Sequence, residues 1–487
     1  MDKPFKSLAK GSFFLLLQNM SNLIMGALFW IILAKLLEPE SLGYAMIATA
    51  FALSIIGFLG LGINITISKF ISVSNAKQEY STRAIYKGGN TLGVISAAIA
   101  TAALILSANY IAEYLYNNSR LFPLFIIISL FIPPQIFLSV LRGVYEGQQK
   151  PKYTLYTEVA FQIIRLCIAI ILVLTGFNEI GIILAFIISS LGAYTIGYIN
   201  FLPKVLHKDS NNTIKISSLI RFASMNYLNS GLRVLSNQIG VIFVGIQNIE
   251  WSAFYGLSIL IGNVIGGTFQ ALARALLPTA SAEYINDKLM YAKLLNISLR
   301  VSLSLSGFLL LVILLEPVTI LNLIGRDYIE ASLSLRILAL ASILNALSFV
   351  MSSMLNAANR ENLVGIIGLI SYSTSIILTP ILVTIIDLEG AALALLIGSI
   401  LSLSLSSFTL YKFEKVKASL KVIGRPIGAI ITTFIIILSI QRYLYIDNYI
   451  TIIITIALYS ILLFCYKAVT VSTINTVITS IKRDKND

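Results

Sequence analysis

Residues 12–37 read SFFLLLQNMSNLIMGALFWIILAKLL and residues 42–68 read LGYAMIATAFALSIIGFLGLGINITIS, with Glu38, Pro39, Glu40 and Ser41 between them. Each block is longer than the roughly 20 apolar residues that carry a helix across a bilayer. Backbone groups in lipid must be satisfied within their own segment, so these blocks are expected to be helices. The same pattern continues along the 487-residue chain, which is 57% hydrophobic and only 12% charged. That charged share is about half the usual one in soluble domains. A soluble protein has no polar shell large enough to cover so much apolar surface.

Fourteen spans follow: 12–37, 42–68, 88–112, 121–146, 153–176, 180–202, 219–246, 251–277, 291–315, 328–358, 362–386, 389–411, 424–442 and 448–467. The fold class read from them is an all-α membrane protein of about 14 transmembrane helices. An even number puts both termini on one side. Of the 35 Lys and Arg, 26 are assigned to the two tails or to the connections after even-numbered spans, with Arg142, Arg221, Lys293, Arg425 and Lys467 lying just inside a span end. Only Arg120, Arg326 and, at the edge of its span, Arg442 are assigned to the connections after odd-numbered spans. Basic connections stay in the cytoplasm, so both tails are expected there, in a multi-pass cell (plasma) membrane protein. The net charge of +13 belongs to this pattern, and no nucleic-acid partner is implied.

Lys3 to Lys10 precede an apolar run that reaches Leu37, too long for a signal peptide, so a retained first span is expected. Cys167 and Cys465 lie within apolar blocks and suggest no disulfide framework. His207 has no Cys or His companion, and no metal or other cofactor is implied.

A shift of 211 residues superposes spans 1–4 on spans 7–10 without a gap. Ser7-Leu8 meets Ser218-Leu219, Lys10 meets Arg221, Ser41 meets Ser252 and Tyr44 meets Tyr255. Six spans precede the second copy, so the copies share one orientation, an arrangement found in transporters. The expected organisation is an N-lobe at 1–216, a C-lobe at 217–415, and two extra helices with a tail at 416–487.

The stretch Ala34-Lys35-Leu36-Leu37-Glu38-Pro39-Glu40-Ser41-Leu42-Gly43-Tyr44 resembles a loop of the polysaccharide transporter branch of the multidrug/oligosaccharidyl-lipid/polysaccharide (MOP) exporter superfamily. Gly60-Leu61-Gly62 through Lys69-Phe70-Ile71, Leu141-Arg142-Gly143 through Lys150-Pro151, and Glu389-Gly390-Ala391-Ala392-Leu393-Ala394 resemble further parts of that branch. The family usually has Gly where Glu38 stands. The resemblance covers nearly the whole chain and implies two six-helix lobes plus two extra helices. It also implies a flippase, not an enzyme, that moves polyprenyl-diphosphate-linked oligosaccharide from the cytoplasmic to the outer face by alternating access. The partners it implies are the lipid-linked substrate, the bilayer, and a glycan polymerase or glycosyltransferases.

Charged and amide side chains inside the spans are the candidate site residues, because a charge at the bilayer centre costs about 3 kcal/mol on insertion scales. Asn229, Arg233 and Asn237 share one stripe of the seventh span, at i, i+4 and i+8. The repeat places Gln18, Asn22 and Gly26 of the first span at the equivalent positions. These stripes either wall a central substrate cavity or tie helices together. Asn263, Gln270 and Arg274 share a face of the eighth span, where Arg274 either meets substrate or snorkels. Lys35 reads as snorkelling, while Arg300 and Arg336 are open between cavity and structural roles. Glu158 is the acid deepest in a span, with Arg165 seven residues on and Arg142 as a closer alternative partner. That group is either a structural ion pair or an ion-coupling site.

No GxxxxGK phosphate loop or catalytic constellation occurs. A cation-coupled multidrug exporter of the same superfamily would need carboxylates in the first and seventh spans, and these have none. A membrane glycan polymerase would need a large outer loop, and the outer connections are short. A lipid II flippase shares the diphosphate chemistry, whereas the loop resemblance favours the polysaccharide branch.

Overall fold

The computed structural model describes the backbone of residues 3–60, 62–77, 80–206, 216–444 and 447–468. Side chains are described over the same ranges except 3–13, 15–16, 76–77, 216–227, 268–279, 282 and 286. The described chain is helical, with no strand. The helices are α1 (Lys3–Leu36), α2 (Pro39–Leu59), α3 (Ile63–Lys77), α4 (Thr82–Tyr110), α5 (Leu121–Ser129), α6 (Ile132–Gly147), α7 (Lys152–Leu174) and α8 (Asn178–Ile196). They continue as α9 (Ile216–Gln247), α10 (Ile249–Asn286), α11 (Lys288–Leu315), α12 (Pro317–Asn322), α13 (Ser332–Ala357), α14 (Glu361–Thr409), α15 (Leu420–Tyr443) and α16 (Asn448–Cys465).

Twelve described segments are long and apolar enough to cross a membrane. One of them, Glu361–Glu414, holds two crossings, because Ile386 and Asp387 leave helical geometry, Asp387 at φ +50°. With that division and the 32-residue α9, the count becomes fourteen. The break falls where the sequence separates the eleventh span from the twelfth. Two other spans are less regular than the sequence suggests. The second is interrupted after Leu59 and resumes at Ile63, past Gly62 at φ +53°. The fourth is interrupted before Pro133 and Pro134, which cannot continue the backbone ladder of the preceding turn.

Close packing divides the chain into two compact units, Met1–Leu260 with Gly368–Gly398, and Ile261–Ile367 with Ser399–Asp487. In the first unit, α1 packs on α7, α3 and α4 on α6, and α7 on α8. An aromatic core of Phe29, Trp30, Phe131 and Phe186 lies among them, with Phe29 edge-on to Phe186 at 5.7 Å. Glycines let α2 and α9 approach closely. A Cβ on Gly57 would stand 2.8 Å from the Val234 Cβ, and one on Gly231 would stand 2.8 Å from the Phe58 ring. At one end of this unit Arg120 bonds the buried Glu179 at 2.7 Å, and Tyr116 donates to the Ile242 carbonyl at 2.7 Å.

In the second unit, serines join α13 to the later part of α14, with Ser348 Oγ 2.6 Å from Ser402 and 3.0 Å from Ser406. The last two helices are fixed to α11 at several levels. Gln441 donates to Glu316 at 2.6 Å and Tyr459 to the Ser304 carbonyl at 3.2 Å. Arg300 donates to the carbonyls of Ala468, at 2.6 Å, and Lys467, at 3.0 Å, just past the end of α16. A cation at a helix C-terminus meets unpaired carbonyls and the negative end of the helix dipole.

Candidate functional site

The polar groups of α9 come first. Asn229, Arg233 and Asn237 lie on one stripe, and the three differ in what they do. Asn237 Nδ2 donates to the Arg233 carbonyl at 2.9 Å, a bond within its own helix. Asn229 sits against α14 at Gly368, where any larger residue would collide with its Oδ1. That oxygen is buried and has no hydrogen-bond partner among the described residues. Arg233 is exposed and forms no ion pair among the described residues. An Arg held at mid-span with no counter-ion among the described residues is suited to attract an anion.

A second cluster is built on α7. Glu158, Gln162 and Arg165 occur at i, i+4 and i+7 and therefore project from one face. All three are buried. Arg142 of α6 places Nη2 3.0 Å from Glu158 Oε2, an ion pair without an aligned hydrogen bond from that nitrogen. Gln162 Nε2 donates to Glu158 Oε1 at 2.8 Å and to Asn22 Oδ1 of α1 at 3.0 Å. Arg165 Nη2 donates to Gln162 Oε1 at 2.5 Å. Its guanidinium lies over three rings, 4.1 Å from the centroid of Phe29, 4.8 Å from Phe186 and 5.2 Å from Phe161. Such desolvated cation–π contacts are worth about 2 kcal/mol or more. Two guanidinium groups thus share one carboxylate, Arg142 directly and Arg165 through Gln162.

The sequence reading missed Gln162, the centre of this cluster. Its signal was available: an amide on the same face as Glu158 and Arg165 in an otherwise apolar stretch. The remaining candidates are scattered. Gln18 is half-buried and Asn22 exposed on α1. Asn263 is half-buried in the second unit. The side chains of Gln270 and Arg274 lie outside the described residues, as does His207. Arg300 donates to the carbonyls beyond α16, and Arg336 is exposed on α13. Among the described residues no group of His, Cys, Asp and Glu could hold a metal ion.

Comparison with known proteins gives these features a context. Residues 8–283, more than half of the chain, match the family model described as polysaccharide biosynthesis protein. An uncharacterized membrane protein of Methanocaldococcus jannaschii is 25% identical over 426 residues, covering 84% of this chain and 99% of that protein. Among solved structures, the lipid II flippase MurJ in an inward closed conformation superposes with a TM-score of 0.74 at 16% identity, over 92% of this chain and 98% of that one. A MOP-superfamily transporter from Pyrococcus furiosus superposes with a TM-score of 0.62 at 16% identity, over 83% and 94% of the two chains. At that identity the two structures testify to the fold. The multi-pass helical architecture, the shared fold and the family match together place the chain in the polysaccharide biosynthesis protein family, with the fold of MOP-superfamily transporters.

Proposed function

We propose that the chain is a flippase that moves polyprenyl-diphosphate-linked oligosaccharide from the cytoplasmic to the outer face of the plasma membrane by alternating access, for polysaccharide or glycan biosynthesis. The observation that carries this reading is Arg233, exposed at mid-span with no counter-ion among the described residues. A diphosphate is the part of such a substrate that a bilayer penalises most, and a guanidinium meets it with two parallel charge-assisted hydrogen bonds. Membership of a polysaccharide biosynthesis family supports the glycan, and the fold shared with a lipid II flippase supports a lipid-linked cargo. The proposed orientation has both termini in the cytoplasm, and the proposed working halves are the two repeats, 1–216 and 217–415. Glycosyltransferases would supply the substrate inside, and a polymerase would consume it outside. A multidrug exporter is not favoured, because α1 and α9 contain no Asp or Glu to attract a cation.

Deletion of the gene in its own host tests the reading. Surface glycan is expected to fall and lipid-linked oligosaccharide to accumulate on the cytoplasmic face, with both restored by a plasmid copy. Unchanged surface glycan and an unchanged lipid-linked pool would sink it. Failure of peptidoglycan synthesis in place of glycan export would move the cargo to lipid II.

A further inference from the structure

We infer that Gln162 is a positioning residue that turns Asn22 into a pure hydrogen-bond donor toward the anionic oxygens of the substrate's diphosphate; the inference rests on the flippase reading. An amide side chain offers an oxygen acceptor at one end and two N–H donors at the other, and the hydrogen bonds it makes decide which end points where. Gln162 is fixed from both ends. Its Oε1 accepts from Arg165 at 2.5 Å, and its Nε2 donates to Glu158 at 2.8 Å. Rotating this amide by half a turn would set its oxygen against a carboxylate and its N–H groups against a guanidinium. Arg165 is in turn held over Phe29, Phe186 and Phe161, and Glu158 by Arg142.

With Gln162 fixed, its second N–H meets Asn22 Oδ1 at 3.0 Å. The Asn22 oxygen is therefore turned inward and occupied, and the Asn22 Nδ2 group is left pointing out of the cluster. Nothing among the described residues accepts from it. Asn22 is exposed, although the cluster behind it is buried. Asn22 is exposed on a different side of α1 from that helix's exposed apolar residues. The exposed apolar residues of α1 near it are Met20, Ile24 and Leu28. Two positions along a helix turn through about 200°, so Asn22 points away from Met20 and Ile24. Gly26, one turn on, has open space beside it: a Cβ there would find no described atom nearer than Asn22 Oδ1, at 4.0 Å. A donor group at an exposed position of α1, turned away from that helix's exposed apolar residues and backed by a buried surplus cation, suits a phosphate oxygen.

The test uses the full-length protein in nanodiscs, with undecaprenyl diphosphate as probe and undecaprenol as its phosphate-free control. Wild type is expected to prefer the diphosphate. Asn22→Ala and Gln162→Met are each expected to weaken diphosphate binding about tenfold, the size of one lost charge-assisted hydrogen bond, and to leave undecaprenol binding unchanged. The double variant should be no weaker than either single one, because both lose the same oriented donor. Asn22→Asp, which presents only acceptors, should lose more than Asn22→Ala. Asn22 is exposed, so its variants report even if Gln162→Met lowers the yield of folded protein. Wild-type affinity in Asn22→Asp, or losses that multiply in the double variant, would overturn the relay while leaving the flippase reading intact. A wild type with no preference for the diphosphate would overturn both.

Discussion

Arg233→Ala is expected to abolish glycan export while the protein reaches the membrane at its normal level. The side chain is exposed and without an ion pair among the described residues, so its removal leaves no buried charge stranded. Substitutions of that kind usually change stability by no more than about 0.5 kcal/mol. The functional loss is of another size. Two hydrogen bonds from a charged donor are worth about 3 kcal/mol or more together, which is at least a hundredfold in occupancy. Arg233→Lys keeps the charge and loses the two-pronged geometry, so partial export is expected. Surface glycan in a host lacking the gene, divided by the membrane level of each variant, measures both. Full export by Arg233→Ala at normal abundance would remove this residue from the mechanism. The role would then pass to Arg274, since Arg300 is already occupied by the carbonyls of Lys467 and Ala468.

Glu158→Ala should act on folding instead. The carboxylate is 4% exposed and is the only acid in the α7 cluster, facing Arg142 at 3.0 Å and linked to Arg165 by Gln162. Its loss leaves two guanidinium groups in a buried site with no counter-charge, at a cost of about 3–5 kcal/mol. Membrane abundance should fall several-fold. Replacing the pair together, as Arg142→Met with Glu158→Leu, should recover much of that abundance, because a well-packed apolar pair often matches a buried ion pair in stability. A different outcome would reassign Glu158. If Glu158→Gln keeps normal abundance while transport no longer follows a pH gradient, the carboxylate couples protons. Normal abundance with unchanged transport would exclude both roles.

The features legible in the sequence are those set by one-dimensional physics. Apolar block length predicts the helices, and Asp387-Leu388-Glu389 marks the turn that the backbone makes at φ +50°. Helical periodicity places Asn229, Arg233 and Asn237 on one stripe. Periodicity says nothing about what each side chain then touches. Asn237 turns back to its own backbone, Asn229 lodges against Gly368, and Arg233 stays exposed. The partner of Glu158 was readable as a choice between Arg142 and Arg165, and the answer combines them through a residue that carries no charge. Gln162 is one amide among several inside the spans, and beyond its shared face nothing in its sequence neighbourhood sets it apart as the link between Glu158 and Arg165. Arg300 was undecidable for a different reason: its partners are the carbonyls of residues 467 and 468, and no side-chain pattern announces a backbone acceptor more than 160 positions away.

Transport of a polyprenyl-diphosphate glycan is the central claim, and purified protein in sealed vesicles tests it most directly. A polyprenyl-diphosphate oligosaccharide with a labelled sugar is placed in one leaflet, and its exposure on the other is followed with a membrane-impermeant lectin or glycosidase. Vesicles containing the wild-type chain should expose the label far faster than protein-free vesicles, and vesicles containing Arg233→Ala should match the protein-free rate. Label that stays in its original leaflet with wild-type protein present, in vesicles where the protein is folded and inserted, would contradict the account.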